Sequence, residues 1–343
     1  MTRPRWFRSM PSARNRRLGA TVLAVLGLWL MPDMAPLARA GAARANFAPA
    51  IQGTDVRAAI PAKQLFGHVK RPAPMPPQPI GFYSRGCLAG AVAMPITGSA
   101  WQVMRLSRNR MWGMPVLVEF LKKLAMDAKA LDGWPGLLIG DMSQPRGGPM
   151  LTGHASHQIG LDVDIWFDPM PAHVLSRKER ETMSAHRMTL DRKHVDPRRF
   201  KPVVARLLRR AALDGRVQRI FVHPPIKKYL CDWSRRRGEK NRAWLAKIRP
   251  YYGHSDHLHI RLRCPPGAKY CKNQGDPHPK DGTGCGAELA YWYSDRPWAR
   301  PKPKPKFHHG IPLPRPRPKK PRPKPVLTLA RLPGACRMVL LAR

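Results

Sequence analysis

Two short stretches constrain this chain more than anything else in it: Gly153 to Trp166, GHASHQIGLDVDIW, and Gly253 to Arg263, GHSDHLHIRLR. In the first, Leu161-Asp162-Val163-Asp164-Ile165-Trp166 alternates apolar and acidic residues with the period of two of a strand that buries one face. Asp162 and Asp164 then share a face. In the second, His257-Leu258-His259-Ile260-Arg261-Leu262 alternates in the same way, with both imidazoles opposite Leu258, Ile260 and Leu262. Two adjacent strands of this kind aim carboxylates and imidazoles into one cleft. His157 precedes them by a few residues, and a turn through Gln158 to Gly160 folds it back beside the strand. His157, Asp164 and His259 surround one point and leave a fourth position for water, which is the pattern of catalytic rather than structural zinc. A nitrogen and oxygen donor set suits zinc. Any one of these histidines, taken alone, reads as a solvated side chain; five in two short segments do not.

Hydrolysis at such a centre also needs a general base. No H-E-x-x-H occurs, so the glutamate of that motif is absent, and His257, two residues before His259 and on its face, is the choice. An imidazole with an ordinary pKa near 6.5 suits proton transfer around neutrality. Zinc supplies the rest of a hydrolytic mechanism, by lowering the pKa of a water and polarising the carbonyl. Asp162 fits a partner that orients an imidazole. Nucleophilic alternatives have no support, because neither S-x-x-K nor G-x-S-x-G occurs.

With GHASHQIGLDVDIW and GHSDHLHIRLRCPPG in hand, the chain resembles the penicillin-insensitive murein endopeptidases, part of a wider zinc peptidase group that includes D-alanyl-D-alanine peptidases and lysostaphin-type enzymes. The resemblance covers Pro79 to Tyr293 plus Cys336. It implies a zinc-dependent hydrolase of peptidoglycan cross-links, at the D-alanyl to meso-diaminopimelyl amide bond. It also implies that His254 supports the reacting groups and that His154 accompanies the metal ligands, although strand geometry alone favours His157, Asp164 and His259. Asp191 and His194, in Asp191-Arg192-Lys193-His194, read by spacing as an exposed turn. The resemblance instead associates that pair with a second zinc at the interface of a homodimer.

The ends of the chain bear on where it works. Six arginines from Arg3 to Arg17 precede an apolar run from Leu18 to Met31 and then Ala38-Arg39-Ala40, the layout of a secretory signal peptide over residues 1–40. The run is shorter than the ~20 residues of a membrane span, and an uncleaved anchor is the competing reading. Export points to the periplasm and an oxidising environment, where Cys87, Cys231, Cys264, Cys271, Cys285 and Cys336 can form three disulfides. Spacing leaves the connectivity open. The resemblance implies Cys87 with Cys336, Cys231 with Cys285, and Cys264 with Cys271.

Residues 41–78, rich in alanine and proline, read as a surface leader, with compact structure starting near Gly81-Phe82-Tyr83. The peptidase domain is expected over 79–300. Within it, Pro115 to Leu131 has Val116, Phe120, Leu124 and Ala128 at helical spacing behind a proline suited to a first turn. Trp134 to Ile139 reads as a strand and Gly140 to Gly148 as a loop leading into the metal stretch. Arg146 on that loop is a candidate for substrate binding, with a solvated arginine as the alternative. Pro202 to Leu213 reads as a second helix, with Val203, Leu207 and Ala211 inward, and Arg219 to His223 as a short strand. Strands and helices without regular βαβ alternation predict an α+β domain in which a small antiparallel sheet carries the zinc site.

From 301 to 325 the chain is PKPKPKFHHGIPLPRPRPKKPRPKP, a proline-dominated insertion that favours extended conformations and cannot bury a core. His308 and His309 within it read as ordinary tail histidines. Residues 326–343 return the tail, with Cys336, to the domain. The net charge is +41, and removing the basic signal segment and the insertion still leaves a strongly basic body. No nucleic-acid motif accompanies that charge, so for an exported protein the partners are peptidoglycan and anionic envelope polymers. Two other functions stay in view. One is a D,D- or L,D-carboxypeptidase on stem peptides, and the other is a non-catalytic basic wall-binding protein.

Overall fold

The computed structural model describes residues 60–299 and 326–343, with the backbone of 307–308 and 311–312 as two short paired strands. The signal segment, the leader before residue 60, and His308 and His309 as side chains lie outside the described residues. No helix among those described is long and apolar enough to cross a membrane.

Among the described residues, eleven strands, besides the short pair at 307–312, and seven helices build an α+β body. In chain order the strands are β1 (Gln78–Phe82), β2 (Arg85–Ala89), β3 (Val92–Ala93), β4 (Thr97–Gly98), β5 (Trp101–Val103), β6 (Trp112–Gly113), β7 (Leu137–Ile139), β8 (Asp162–Pro169), β9 (Val217–Val222), β10 (Ile248–Pro250) and β11 (His257–Leu262). The helices are α1 (Ala62–Gly67), α2 (Pro115–Asp132), α3 (Arg177–Thr182), α4 (Pro202–Leu213), α5 (Pro224–Arg236), α6 (Ala287–Tyr293) and α7 (Ala335–Leu341). Each of the three longest, α2, α4 and α5, opens with proline at its first turn, where the missing N–H costs no hydrogen bond. Gly133 ends α2 in the left-handed conformation with φ 72°, as a C-terminal cap requires.

Seven strands form the main sheet, in the order β10-β9-β11-β8-β7-β5-β4. The expected antiparallel pair is its centre: β8 and β11 pair with His259 opposite Asp164 and Arg261 opposite Asp162. The sheet is wider than the sequence suggested and is mixed, since β9–β10 and β5–β7 run parallel. The added strands are only two or three residues long for the most part, too short for periodicity to declare them.

One face of β8 and β11 turns Val163, Ile165, Leu258, Ile260 and Leu262 into the main core, fully buried with Leu117, Leu121, Leu207 and Leu208 of α2 and α4. Burial of each such side chain is worth about 1.5–3 kcal/mol. The other face carries Asp162, Asp164, His257, His259 and Arg261. A two-faced strand pair therefore fixes the register, because a slip of one residue would turn five polar groups into the apolar core and five apolar ones onto the polar face.

A second core corrects the expected start of the domain. The packed body includes residues well before Gly81: Ala62 and Phe66 of α1 are fully buried with Ile80, Cys87 and Ala89 of the β1–β2 hairpin and Leu329, Leu332, Cys336 and Val339 of the tail. Pro61 bridges Thr328, and the Ala62 N–H donates to the Leu327 carbonyl at 2.8 Å. Ala73 is buried in the same core, and Leu65 and Met75 pack against it, so the supposed leader contributes several apolar residues. Cys87–Cys336 closes this core, and Cys231–Cys285 and Cys264–Cys271 complete the pairs implied by the resemblance.

Candidate metal centre

Asp164 is the hub of the polar face. Around its carboxylate stand His157 Nε2 at 3.5 Å, His259 Nδ1 at 3.3 Å, His154 Nδ1 at 3.4 Å and His257 Nε2 at 3.8 Å. His154, His157 and Asp164 offer ligand atoms that all lie within 4.8 Å of one another. The rings crowd accordingly, with centroids 4.3 Å apart for His154 and His157 and 4.6 Å for His157 and His259.

The far nitrogen of each imidazole is anchored on an acceptor. His157 Nδ1 donates to the Met142 carbonyl at 2.8 Å, His259 Nε2 to Asp162 at 3.1 Å, His154 Nε2 to Asp141 at 3.0 Å, and His257 Nδ1 to Asp256 at 2.6 Å. His254 Nδ1 does the same with the Tyr252 carbonyl. An N–H fixed on the outer nitrogen leaves a lone pair on the inner one, so four lone pairs converge on a carboxylate. That arrangement repels itself unless a cation lies between. Two buried atoms agree with this: His157 Nε2 and Asp164 Oδ1 have no hydrogen-bond partner among the described residues. The donor set of imidazole nitrogen and carboxylate oxygen fits zinc.

The backbone places His157 at a cost. Its φ is 66°, left-handed for a residue with a side chain, a strain of about 1–2 kcal/mol. Both sides of the residue are pinned: the His157 N–H donates to Asp162 Oδ2 at 3.0 Å, and Ser143 Oγ donates to the His157 carbonyl at 2.6 Å. Gly160 makes the turn back into β8, with φ 71° and room for no side chain, since a Cβ there would meet Leu88 Cδ2 at 2.6 Å. Gly160, Asp162 and Asp164, spaced G-x-D-x-D, are thus the turn, the strut and the hub in succession.

Asp162 serves two strands. Fully buried, it accepts from Arg261 Nε at 2.7 Å and Nη2 at 3.3 Å as well as from His259 and the His157 N–H. Burial alone would raise its pKa, but Arg261 and His259 outweigh it and keep the carboxyl far below its ordinary range. Asp164 is likewise held well down by His157 and His257 against burial. Burial also opposes the charged forms of His157 and His257, yet Asp164 beside them raises both. For His259 and His254 burial prevails, pushing them down to about 4 and about 3.

A cavity of about 380 Å³ opens over this centre, lined by His154, Asp164, His257, Asp256, Arg105 and Arg108 among others. Arg146 is not part of it. Its guanidinium donates to the Val339 and Leu340 carbonyls at 2.9 and 2.7 Å, capping the last turn of α7, whose carbonyls need an external donor. The expectation of a substrate contact from Arg146 therefore fails on position. Asp191 and His194 form a turn of their own, exposed, with Asp191 accepting from the His194 ring at 2.9 Å, and neither lines the cavity. Three residues that sequence reasoning passed over matter here: Asp141, Asp256 and Arg108. Asp256 adjoins His257 in the sequence, but Asp141 and Arg108 carry no local signal.

The family model described as penicillin-insensitive murein endopeptidase matches residues 79–341. A penicillin-insensitive murein endopeptidase of Haemophilus influenzae is 44% identical over 233 residues, 66% of this chain and 77% of that protein. The protein of the same name from Klebsiella pneumoniae is 42% identical over 216 residues, 63% of this chain and 76% of its own. Its counterpart from Pectobacterium atrosepticum is 38% identical over 248 residues, 72% and 85%.

Proposed function

The chain belongs to the penicillin-insensitive murein endopeptidase family, and on that premise we propose that it is a zinc peptidase, exported to the periplasm, that hydrolyses D-alanyl to meso-diaminopimelyl cross-links of peptidoglycan. The observation that carries this reading is the convergence of four imidazole nitrogens on buried Asp164 at the floor of an open cavity.

His157, Asp164 and His259, with His154 beside them, would hold the metal. Zinc bound there supplies a water of lowered pKa and polarisation of the scissile carbonyl. His257 is the proton carrier: Asp256 fixes its Nδ1–H, which leaves Nε2 facing the reacting groups to take the proton of the attacking water and return it to the departing amine. Asp256 stabilises the imidazolium in between. His254, kept neutral by burial and anchored on Tyr252, presents its free nitrogen as an acceptor that orients a neighbouring proton. Asp162 and Asp141 hold His259 and His154 in the tautomers a ligand needs. Asp191 and His194 are kept as the candidate pair for a second zinc in a homodimer. The body, strongly basic even without the signal segment and the insertion, favours anionic envelope polymers as well as murein.

The test is incubation of zinc-loaded mature protein with purified dimeric muropeptides. Conversion to monomers supports the reading. Release of a single terminal amino acid from monomers would replace it with a carboxypeptidase, and wall binding without turnover would replace it with a non-catalytic protein.

A further inference from the structure

A second cavity of about 300 Å³ adjoins the catalytic one, and Arg108 lines both. Its wall includes His68, Lys70, Arg108 and Arg110 and contains neither Asp nor Glu among the described residues. Arg110 is spent, donating to Asp141 at 2.8 Å and to Thr152 at 2.9 Å. Arg108 is not. Only its Nη1 is engaged, with Asp141 at 3.1 Å, and the half-exposed guanidinium keeps its other donors free of acceptors among the described residues. The Lys70 ammonium, exposed on the same wall, likewise has no acceptor there.

The backbone that carries Arg108 is a strained turn, and Lys70 is tied to it. Arg108 ends a short turn, Leu106–Arg108, flanked by Arg105 and Asn109 with φ of 56° and 51°. Neither conformation is comfortable for a side chain, and each persists because its surroundings fix it. Arg105 donates to the Met183 carbonyl at 2.6 Å, Ser107 donates twice to Glu181 at 2.8 Å, and Asn109 accepts from the Trp112 indole at 2.8 Å. Asn109 also donates to the Lys70 carbonyl at 3.2 Å, tying Lys70 to the same turn. Asp141 places Arg108 one carboxylate oxygen away from His154, since both donate to Oδ2.

We propose that Arg108 and Lys70 form a carboxylate-binding subsite that seats the anionic stem peptide beside the scissile bond. The inference rests on the murein reading above. In a D-alanyl to diaminopimelyl cross-link the carbon bearing the scissile nitrogen also bears a free carboxylate, so a guanidinium in the wall of the catalytic cavity reads the residue on the leaving side. Arg108 takes that carboxylate, and Lys70 in the adjoining cavity takes the next one along the stem. Guanidinium and carboxylate form charge-assisted pairs with defined geometry, which selects for such peptides rather than for any amide.

The experiment crosses protein variant with substrate charge. Dimeric muropeptides with the diaminopimelyl carboxylate free or amidated are compared on zinc-loaded wild type, Arg108→Gln and Lys70→Ala. Binding of the corresponding monomeric muropeptides is measured by calorimetry on the same proteins. Amidation should raise KM on wild type on the order of tenfold with kcat little changed, and weaken binding in parallel. That penalty should vanish in Arg108→Gln, while Lys70→Ala, which touches nothing in the metal centre, raises KM for both substrates. An amidation penalty equal in wild type and Arg108→Gln overturns the proposal, as does the absence of any penalty in wild type. If wild type cleaves neither substrate, the murein reading fails while the binding comparison still decides the subsite.

Discussion

Replacing Asp162 by asparagine preserves shape and removes one charge, and the four hydrogen bonds this carboxylate accepts set the consequence. Oδ1 accepts from Arg261 Nε and His259 Nε2, and Oδ2 from Arg261 Nη2 and the His157 N–H. An amide NH2 placed at either oxygen meets two donors. Arg261 is only 5% exposed and is left with no carboxylate, although it still stacks over Tyr83 at 4.1 Å. Breaking a buried pair from one side costs about 3–5 kcal/mol. At roughly 2–4 °C per kcal/mol for a domain of this size, Tm should fall by about 6–20 °C. His259 also loses the partner that fixes its tautomer, which should weaken zinc binding about 10–100-fold. Thermal unfolding and zinc titration read these separately. Adding Arg261→Met should recover part of the lost stability, because the uncompensated charge goes with it. A Tm within about 2 °C of wild type, or a double variant that loses the sum of the two single losses, would refute the reasoning.

Three further outcomes are expected. His257→Ala should lower muropeptide cleavage by about 10²–10⁴-fold while zinc content stays at the wild-type level, and loss of the metal would show that His257 is a ligand instead. Burial opposes ionisation of Asp141, but hydrogen bonds from His154 and Arg110 outweigh it and bring the carboxyl from 3.8 to about 2. Its contribution of about 2 kcal/mol is therefore complete above pH ~4 and lost as pH falls through about 2, so the stability gap between wild type and Asp141→Asn should close over that range. A gap independent of pH contradicts this. Serine at both Cys87 and Cys336, which are 249 residues apart, should cost on the order of 2–5 kcal/mol and expose the tail after residue 326 to protease before the sheet. Simultaneous loss of both regions would show that the second core is not separable.

Range along the chain separates the features the sequence revealed from those it hid. The alternation of Leu161 to Trp166 and of His257 to Leu262 is a local signal, and it located the strands and the facing carboxylates and imidazoles. Proline at Pro115 marked a helix start because its φ and missing N–H act within one turn. Asp141 had no such signal, since what makes it important is Arg108 and Arg110 arriving from one loop and His154 from another. Arg146 misled for the converse reason: it lies beside the site in sequence, but the helix carbonyls of Val339 and Leu340 reach it first. The leader was misread because Ala62 and Phe66 bury against a tail more than 260 residues away, which no window along the chain contains.

The central claim is that the imidazoles gathered on Asp164 hold a metal on which murein cleavage depends. The most direct measurement is zinc per chain by elemental analysis, made on mature wild type and His157→Ala, with cleavage of dimeric muropeptides followed in the same samples. The account predicts at least one tightly held zinc and cleavage in wild type, and loss of that zinc together with cleavage in the variant. Wild type that binds no metal when zinc is supplied, or a variant that loses its zinc and still cleaves, would contradict it.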